Sequence, residues 1–402
     1  MSSCLENQDR LSLSDILMAH VYIRALLIYD YPIVNLEESF HEYLQLYCPQ
    51  AFQTIVYEKD SPLDGRIVKC ENDQERNVFL CESRTTESIF KYSSPNCSIE
   101  DLLPYGLMPT DTSPLIFLHQ IHFQDGTALV FGCHHHLSDG YGFSLLGQRF
   151  ASWFQGKHPT FFDHDRSKLR CFDPLLSIQY DHQEMSITPP VHSLLNPIST
   201  RTILKRYTKE DLFAKLEIEN ENLSMNDVLV AWLTKQISQI RCISLQTIVN
   251  VGMAMNGRRL LPNIDENYFG NCTFSICLSF SMFDLNKLSV NDLAQRINLH
   301  KREFMKREYI QSALAFIDKH HRSSRIHLGW EANGGIDLSF SNWSKFPLYQ
   351  CDFGQGKAKS FQIPQIIFDG LILILPTLNK DEVEIHMTLN EQHAQLLSMA
   401  LF

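Results

Sequence analysis

The chain has 402 residues, 44% hydrophobic and 20% charged, with a formal net charge of -11. That composition is ordinary for a globular protein, and the length accommodates two domains of about 200 residues each. The acidic balance leaves no excess of Lys and Arg to replace phosphate counterions, which excludes a general nucleic-acid surface.

In chain order, residues 11–32 read as a short turn followed by a strand that ends at Pro32. Residues 35–48 carry Leu36, Phe40, Tyr43, Leu44 and Leu46 at helical spacing. Glu37 and Glu38 come early, where the helix dipole favours acids. Short strand-like runs follow, among them 52–57 and 78–81. Residues 114–123 form a strand, Asp125-Gly126 a hairpin turn, and residues 128–136 the returning partner. A helix over 142–154 puts Leu146, Phe150, Trp153 and Phe154 on one apolar face. From about 156 to 200 periodicity fades among Pro174, Pro189, Pro190 and Pro197. That predicts a long crossover, with a domain boundary near Pro190.

The second half opens with a strand over 201–207. Ser224-Met225-Asn226-Asp227 then signals a helix start, and Val228, Leu229, Trp232 and Ile240 continue it. Residues 246–255 are rich in strand formers and end at the turn Asn256-Gly257. Ser289 to Asp292 starts a helix expected to run to about 319. Residues 335–343 alternate, with Ile336, Leu338 and Phe340 on one face and Ser339, Ser341 and Trp343 on the other. Strands over 371–375 and 383–389 precede a helix from about 391. Strands and helices mixed through two halves give an α/β class.

Eleven cysteines run from Cys4 to Cys351 with no Cys-x-x-Cys pair. They read as thiols of a reducing compartment, and a cytoplasmic address is expected. No membrane span is expected: residues 16–29 are bounded or interrupted by Asp15, His20, Arg24 and Asp30. Neither a signal peptide nor a C-terminal lipidation signal is expected.

The chemistry concentrates at Cys133-His134-His135-His136-Leu137-Ser138-Asp139-Gly140. An apolar run, residues 128–131, leads into it, so ionisable groups sit where a buried strand ends. On a strand His134 and His136 share one face and His135 takes the other. Three readings follow. His135 is a general base, since an imidazole is able to take a proton near neutral pH; or His134 and His136 bind a metal with Asp139; or all three are structural.

His134 to Gly140 fits His-His-x-x-x-Asp-Gly, the signature of the coenzyme A-dependent acyltransferase superfamily. That superfamily includes chloramphenicol acetyltransferases, condensation domains of peptide synthetases and BAHD acyltransferases. Asp352-Phe353-Gly354-Gln355-Gly356-Lys357 resembles the Asp-Phe-Gly-Trp-Gly motif of the BAHD family, with Gln355 in the place of tryptophan. The lead-in from Ser341 to Tyr349 is similar to that family as well, as are Asn256-Gly257-Arg258 and the run from Glu266 to Asn271. A protein-kinase reading of Asp-Phe-Gly fails, because no Gly-x-Gly-x-x-Gly loop or His-Arg-Asp loop accompanies it.

The resemblance implies two chloramphenicol acetyltransferase-like domains of mixed sheets flanked by helices, residues 1–190 and 191–402, joined by a long crossover loop. It implies acyl transfer from acyl-CoA to a small-molecule hydroxyl or amine, in a ternary complex with His135 as base. Asp139 then pairs with Arg258 to hold the loop. Ser341 and Trp343 approach the acyl group as donors to the oxyanion. Ser224 reads either as a helix cap or as a phosphate contact, and Lys345 and Lys357 as further phosphate partners. No metal and no permanently bound cofactor is implied; acyl-CoA is a co-substrate. The expected form is a monomer without a nucleic-acid partner. The alternatives are a condensation-type amide former using a carrier-bound thioester, and a family-shaped binding protein without catalysis.

Overall fold

The structure, a computed structural model, describes residues 10–58, 61–69, 76–92, 97–170, 177–189, 198–321, 323 and 325–401. The boundary expected near Pro190 lies outside them, as do Pro174 and Pro197.

The first half is built from β1 (Tyr22–Tyr29), α1 (Leu36–Tyr47), β2 (Gln53–Glu58), β3 (Ser61–Lys69), β4 (Phe79–Arg84), β5 (Ile116–Phe123), β6 (Gly126–His134) and α2 (Gly140–Phe154). Between α2 and β8 (Thr200–Thr208) the described residues hold the two-residue β7 (Met185–Ser186). The second half continues with α3 (Lys209–Lys215), α4 (Met225–Ile240), β9 (Ile248–Asn256), β10 (Thr273–Ser281), α5 (Met282–Lys287), α6 (Val290–Phe304) and α7 (Arg307–His320). It closes with β11 (His327–Leu328), β12 (Leu338–Asn342), β13 (Ser360–Gln362), β14 (Leu371–Pro376), β15 (Glu382–Asn390) and α8 (Glu391–Ala400).

One five-stranded sheet has the order β13-β1-β6-β5-β4; a six-stranded sheet has the order β10-β9-β12-β14-β15-β8. Both are mixed: β4 runs parallel to β5, and β12 parallel to β14 and β9. The two halves are not separate along the chain, because β13 leaves the second half and pairs with β1.

Strand β1 is buried along its whole length, so it shows no polar alternation. Its odd residues Ile23, Ala25, Leu27 and Tyr29 join the main core, which continues through both halves. Its even residues Tyr22, Leu26 and Ile28 join a smaller cluster on the other face.

The helix expected from Ser289 to about 319 is two helices, broken at Met305 and Lys306, the second of which has an extended backbone. Helix α6 buries Leu293, Ala294 and Ile297; α7 buries Tyr309, Ile310, Ala313, Leu314 and Ile317. Carried on at 3.6 residues per turn, the second stripe would point to roughly the opposite side of a straight helix. A break lets both stripes reach the core.

Two packing contacts carry the ends of the sheets to one place. The Trp343 N–H, just past β12, donates to the Ile374 carbonyl at 2.7 Å. The Trp343 ring lies over Gly140 at the start of α2, so close that a Cβ there would meet it at 2.8 Å. Gly140 is therefore the position where the first half admits the indole of the second.

Candidate active site

Strand β6 ends at His134, so strand alternation does not govern His135 or His136. Residues 134–139 instead form a turn closed by the Leu137 N–H on the His134 carbonyl at 2.8 Å. The turn separates the three imidazoles. His134 and His136 are buried, and their rings lie 5.2 Å apart. The His136 N–H donates to His134 Nδ1 at 3.1 Å. His136 Nε2 bonds the Met18 carbonyl at 2.9 Å, and its Nδ1 meets the Tyr57 hydroxyl at 2.7 Å. A ring with both nitrogens committed in this way has no lone pair left for a metal. No group of three His, Cys, Asp or Glu arranged to hold a metal occurs among the described residues.

His135 differs. It alone of the three is partly exposed, and its Nε2 has no partner among the described residues. Its Nδ1 is buried without a hydrogen bond. Burial lowers the pKa of all three rings: His134 to about 2, His136 to about 4, and His135 below the ordinary histidine value. At His135 its own backbone carbonyl and Asp139 oppose that shift. A neutral imidazole with an open nitrogen is a proton acceptor.

Asp139 points away from the open side. As N-cap of α2 its Oδ1 accepts the Gly142 N–H at 2.9 Å. Arg258 grips it with both terminal nitrogens, Nη1 to Oδ2 at 2.7 Å and Nη2 to Oδ1 at 2.9 Å. The Cys272 N–H (3.0 Å) and Thr273 hydroxyl (3.1 Å) also donate to Oδ2. Burial on its own would raise the Asp139 pKa; the Arg258 charge and these donors reverse that and hold it below the usual range. The guanidinium also donates to the carbonyls of Tyr268 and Gly270 at 3.0 and 2.9 Å. The pair thus ties the histidine turn to the segment between β9 and β10.

A second buried network grips the same turn from the other side, and no sequence signal pointed to its role. Arg166 Nη2 donates to the Leu137 carbonyl at 2.6 Å, and its Nε lies 3.2 Å from Asp15 Oδ2. Asp15 Oδ1 accepts both the backbone N–H and the side-chain amide of Asn271, each at 2.8 Å. That amide also donates to the His135 carbonyl at 2.7 Å. Asn271 stood in the Tyr-Phe-Gly-Asn run, and Asp15 follows Ser12 with the spacing of a cap. Arg166 sits in the aperiodic stretch after α2, where nothing marked it.

Ser341 and Trp343 face the same way and touch: Trp343 Nε1 donates to Ser341 Oγ at 3.0 Å. With its oxygen accepting from the indole, the Ser341 hydroxyl hydrogen is free to donate elsewhere. Both side chains are partly exposed. Ser224 is the N-cap of α4 in a reciprocal box with Asp227, its hydroxyl 2.6 Å from Asp227 Oδ2. Lys345 and Lys357 are exposed.

The Asp352 loop is a carboxylate-organised turn. Asp352 Oδ1 accepts from the Gly354 and Gly356 N–H groups at 2.8 and 3.0 Å. Those glycines have φ of +104° and +118°, a region that L side chains avoid. Phe353 packs on Tyr29, Phe150 and Phe154, and the Tyr31 hydroxyl donates to the Gly356 carbonyl at 2.7 Å. Gln355 is exposed.

Comparison with known proteins gives the chain's family and fold. The model of the Transferase family matches residues 3–399. The chain belongs to that family, the BAHD acyltransferases. Hydroxycinnamoyltransferase of Narcissus pseudonarcissus is 25% identical over 353 residues, 82% of this chain and 79% of the relative. Anthranilate N-benzoyltransferase protein 1 of Dianthus caryophyllus is 24% identical, covering 81% of this chain and 74% of the relative. Among solved structures, F. graminearum TRI101 complexed with coenzyme A and deoxynivalenol aligns with TM-score 0.80 at 16% identity, covering 97% of this chain and 96% of that one. Vinorine synthase aligns with TM-score 0.72 at 16% identity, over 96% and 91%. This BAHD member therefore has the chloramphenicol acetyltransferase-like fold and is an acyl-CoA-dependent acyltransferase. No helix among its described residues is long and apolar enough to cross a membrane.

Proposed function

We propose that His135 is the general base of acyl transfer from acyl-CoA to a small-molecule hydroxyl or amine. One observation carries the reading: His135 alone of the three histidines is partly exposed, with Nε2 free of partners among the described residues, on a turn held from both sides by buried ion pairs. In the ternary complex Nε2 takes the acceptor proton as the acceptor oxygen or nitrogen bonds to the thioester carbonyl carbon. The Ser341 hydroxyl donates to the resulting oxyanion. Collapse breaks the carbon–sulfur bond, and the imidazolium returns its proton to the departing thiolate. No enzyme nucleophile is needed; Cys133 is buried, and burial pushes its thiol far up.

Lys345 and Lys357 are put forward as the cations that meet the phosphates of the coenzyme; Ser224 is read as a cap. The working form is proposed to be a cytoplasmic monomer. Relatives named for hydroxycinnamoyl and benzoyl transfer make aromatic acyl-CoAs the first donors to try.

The test is a screen of acyl-CoA donors against alcohols and amines, read by thiol release. Against the best pair, His135→Ala is expected to lose about 10²–10⁴-fold in kcat, the usual worth of a positioned base, with its circular dichroism unchanged. Full turnover by the folded variant would remove the assignment. Coenzyme binding without turnover on any acceptor would favour a binding protein.

A further inference from the structure

Arg24 lies on β1 two residues beyond Tyr22, which pairs with His134. Being even-numbered it faces the smaller core cluster, where a charge has no business unless it is matched. It is 7% exposed, yet only Nη1 is bonded, to the Tyr105 carbonyl at 3.1 Å. Nε and Nη2 have no partner among the described residues and are not sealed from solvent. Arg24 lines a cavity of about 420 Å³, within the size range of small-molecule sites. Leu103, Pro104, Leu107 and Ile367 line it, and it opens to the surface beside Ile367, which is 53% exposed.

Arg24 forms no ion pair among the described residues. The nearest acid on the wall, Glu100, has its Oε1 taken by the Gln365 N–H at 3.0 Å. A guanidinium fork with free parallel donors matches a carboxylate in two-point contact. The apolar wall suits a hydrocarbon or aromatic body behind that carboxylate. Glu100 lines the same cavity and its charge acts on Arg24, which disfavours a dianion such as phosphate.

We infer that this cavity is a binding site for organic monocarboxylates, with Arg24 taking the carboxylate and Leu103, Pro104, Leu107 and Ile367 the apolar body. The inference stands apart from the role of His135, because its readout is binding. Fluorine NMR with 4-fluorobenzoate is the test, with 4-fluorobenzyl alcohol as the uncharged control. The acid is expected to bind the wild-type protein and the alcohol at least about tenfold more weakly, since one charge-assisted two-point contact is lost. Arg24→Gln is expected to weaken the acid by a similar factor and leave the alcohol unchanged. Because Arg24→Gln disturbs a buried position, Gly106→Phe is the second variant. Gly106 lines the cavity and a Cβ there meets nothing within 4 Å, so a ring at this position can be accommodated without displacing the fold, and crowding of the cavity is expected to weaken binding of the acid. Equal binding of acid and alcohol, or undiminished binding of the acid by both variants, overturns the site. The source of the carboxylate is read from turnover of matched acidic and neutral acceptors. If the acceptor supplies it, Arg24→Gln raises KM for the acid alone. If a separate effector supplies it, 4-fluorobenzoate changes turnover of the neutral acceptor in the wild type and not in Arg24→Gln.

Discussion

Asp139 and Arg258 hold the turn that carries His135, the residue proposed as the base. Removing the carboxylate leaves a guanidinium buried against Tyr268 and Gly270 without its counter-charge. Breaking one partner of such a pair typically costs about 3–5 kcal/mol. Asp139→Ala is therefore expected to lose that much in urea unfolding, a large share of the stability of a domain. Replacing both partners with apolar residues is expected to recover part of the loss, because no lone charge remains buried. An Asp139→Ala stability equal to wild type would show that water or another anion replaces the carboxylate. This pair was legible only through the resemblance, since the residues that make it are distant in the chain. Arg166 was not legible at all. It occupies a stretch without periodicity, and its meaning comes from Asp15 and the Leu137 carbonyl, which only the fold brings to it.

At the scale of elements, local pattern carried most strands and helices and failed where tertiary packing decides. Strand β10 was legible but unread: Phe274, Ile276, Leu278 and Phe280 alternate cleanly and are buried. Strand β13 has three residues, too few for a period, and exists because β1 offers it an edge. The break between α6 and α7 was written in the phase of the apolar residues rather than in any Gly or Pro. The turn at Asp352 shows the opposite case, a motif whose odd residue proves harmless. Its geometry rests on the carboxylate and the two glycines, while Gln355 stays in solvent. Gln355→Trp is expected to change stability by less than about 0.5 kcal/mol, as exposed substitutions do, measured by urea unfolding. A gain above 1.5 kcal/mol would mean that an indole finds a packing site there. Gly140 is less forgiving. A methyl group would meet the Trp343 ring at 2.8 and 2.9 Å and Phe346 at 3.2 Å. Gly140→Ala is expected to displace the indole that bonds Ser341 and so to lower kcat more than it raises KM. Unchanged kcat would disconnect Trp343 from the reaction.

Across the whole molecule, the buried histidines make stability depend on pH in a definite direction. Burial pushes His134 down to about 2 and His136 and His164 down to about 4. In the unfolded chain each titrates near the ordinary value of about 6.5. Above that value all three are neutral in both states and contribute no slope. Below it the unfolded chain binds protons that the folded chain refuses, so stability falls as pH falls. Each group contributes about 1.4 kcal/mol per pH unit once its unfolded form is protonated, and three together about 4. The window runs from about 6.5 down toward 4, above the range in which the paired carboxylate of Asp139 begins to take up protons. Urea midpoints taken between pH 8 and 5 are expected to be flat at the upper end and to drop steeply below 6.5, with an uptake near pH 5 approaching three protons from these rings, to which His135, His119 and His20, also lowered by burial, add. His164 offers a way to apportion the slope. It lies apart from the histidine turn, with Nε2 on the Tyr47 carbonyl at 2.8 Å. His164→Gln removes one titrating group while keeping a side-chain amide able to donate, so the uptake should fall by one proton at little change in stability at pH 8. A slope that is the same above and below pH 6.5 would mean that these rings titrate in the fold as they do in the unfolded chain, so that burial does not hold them neutral.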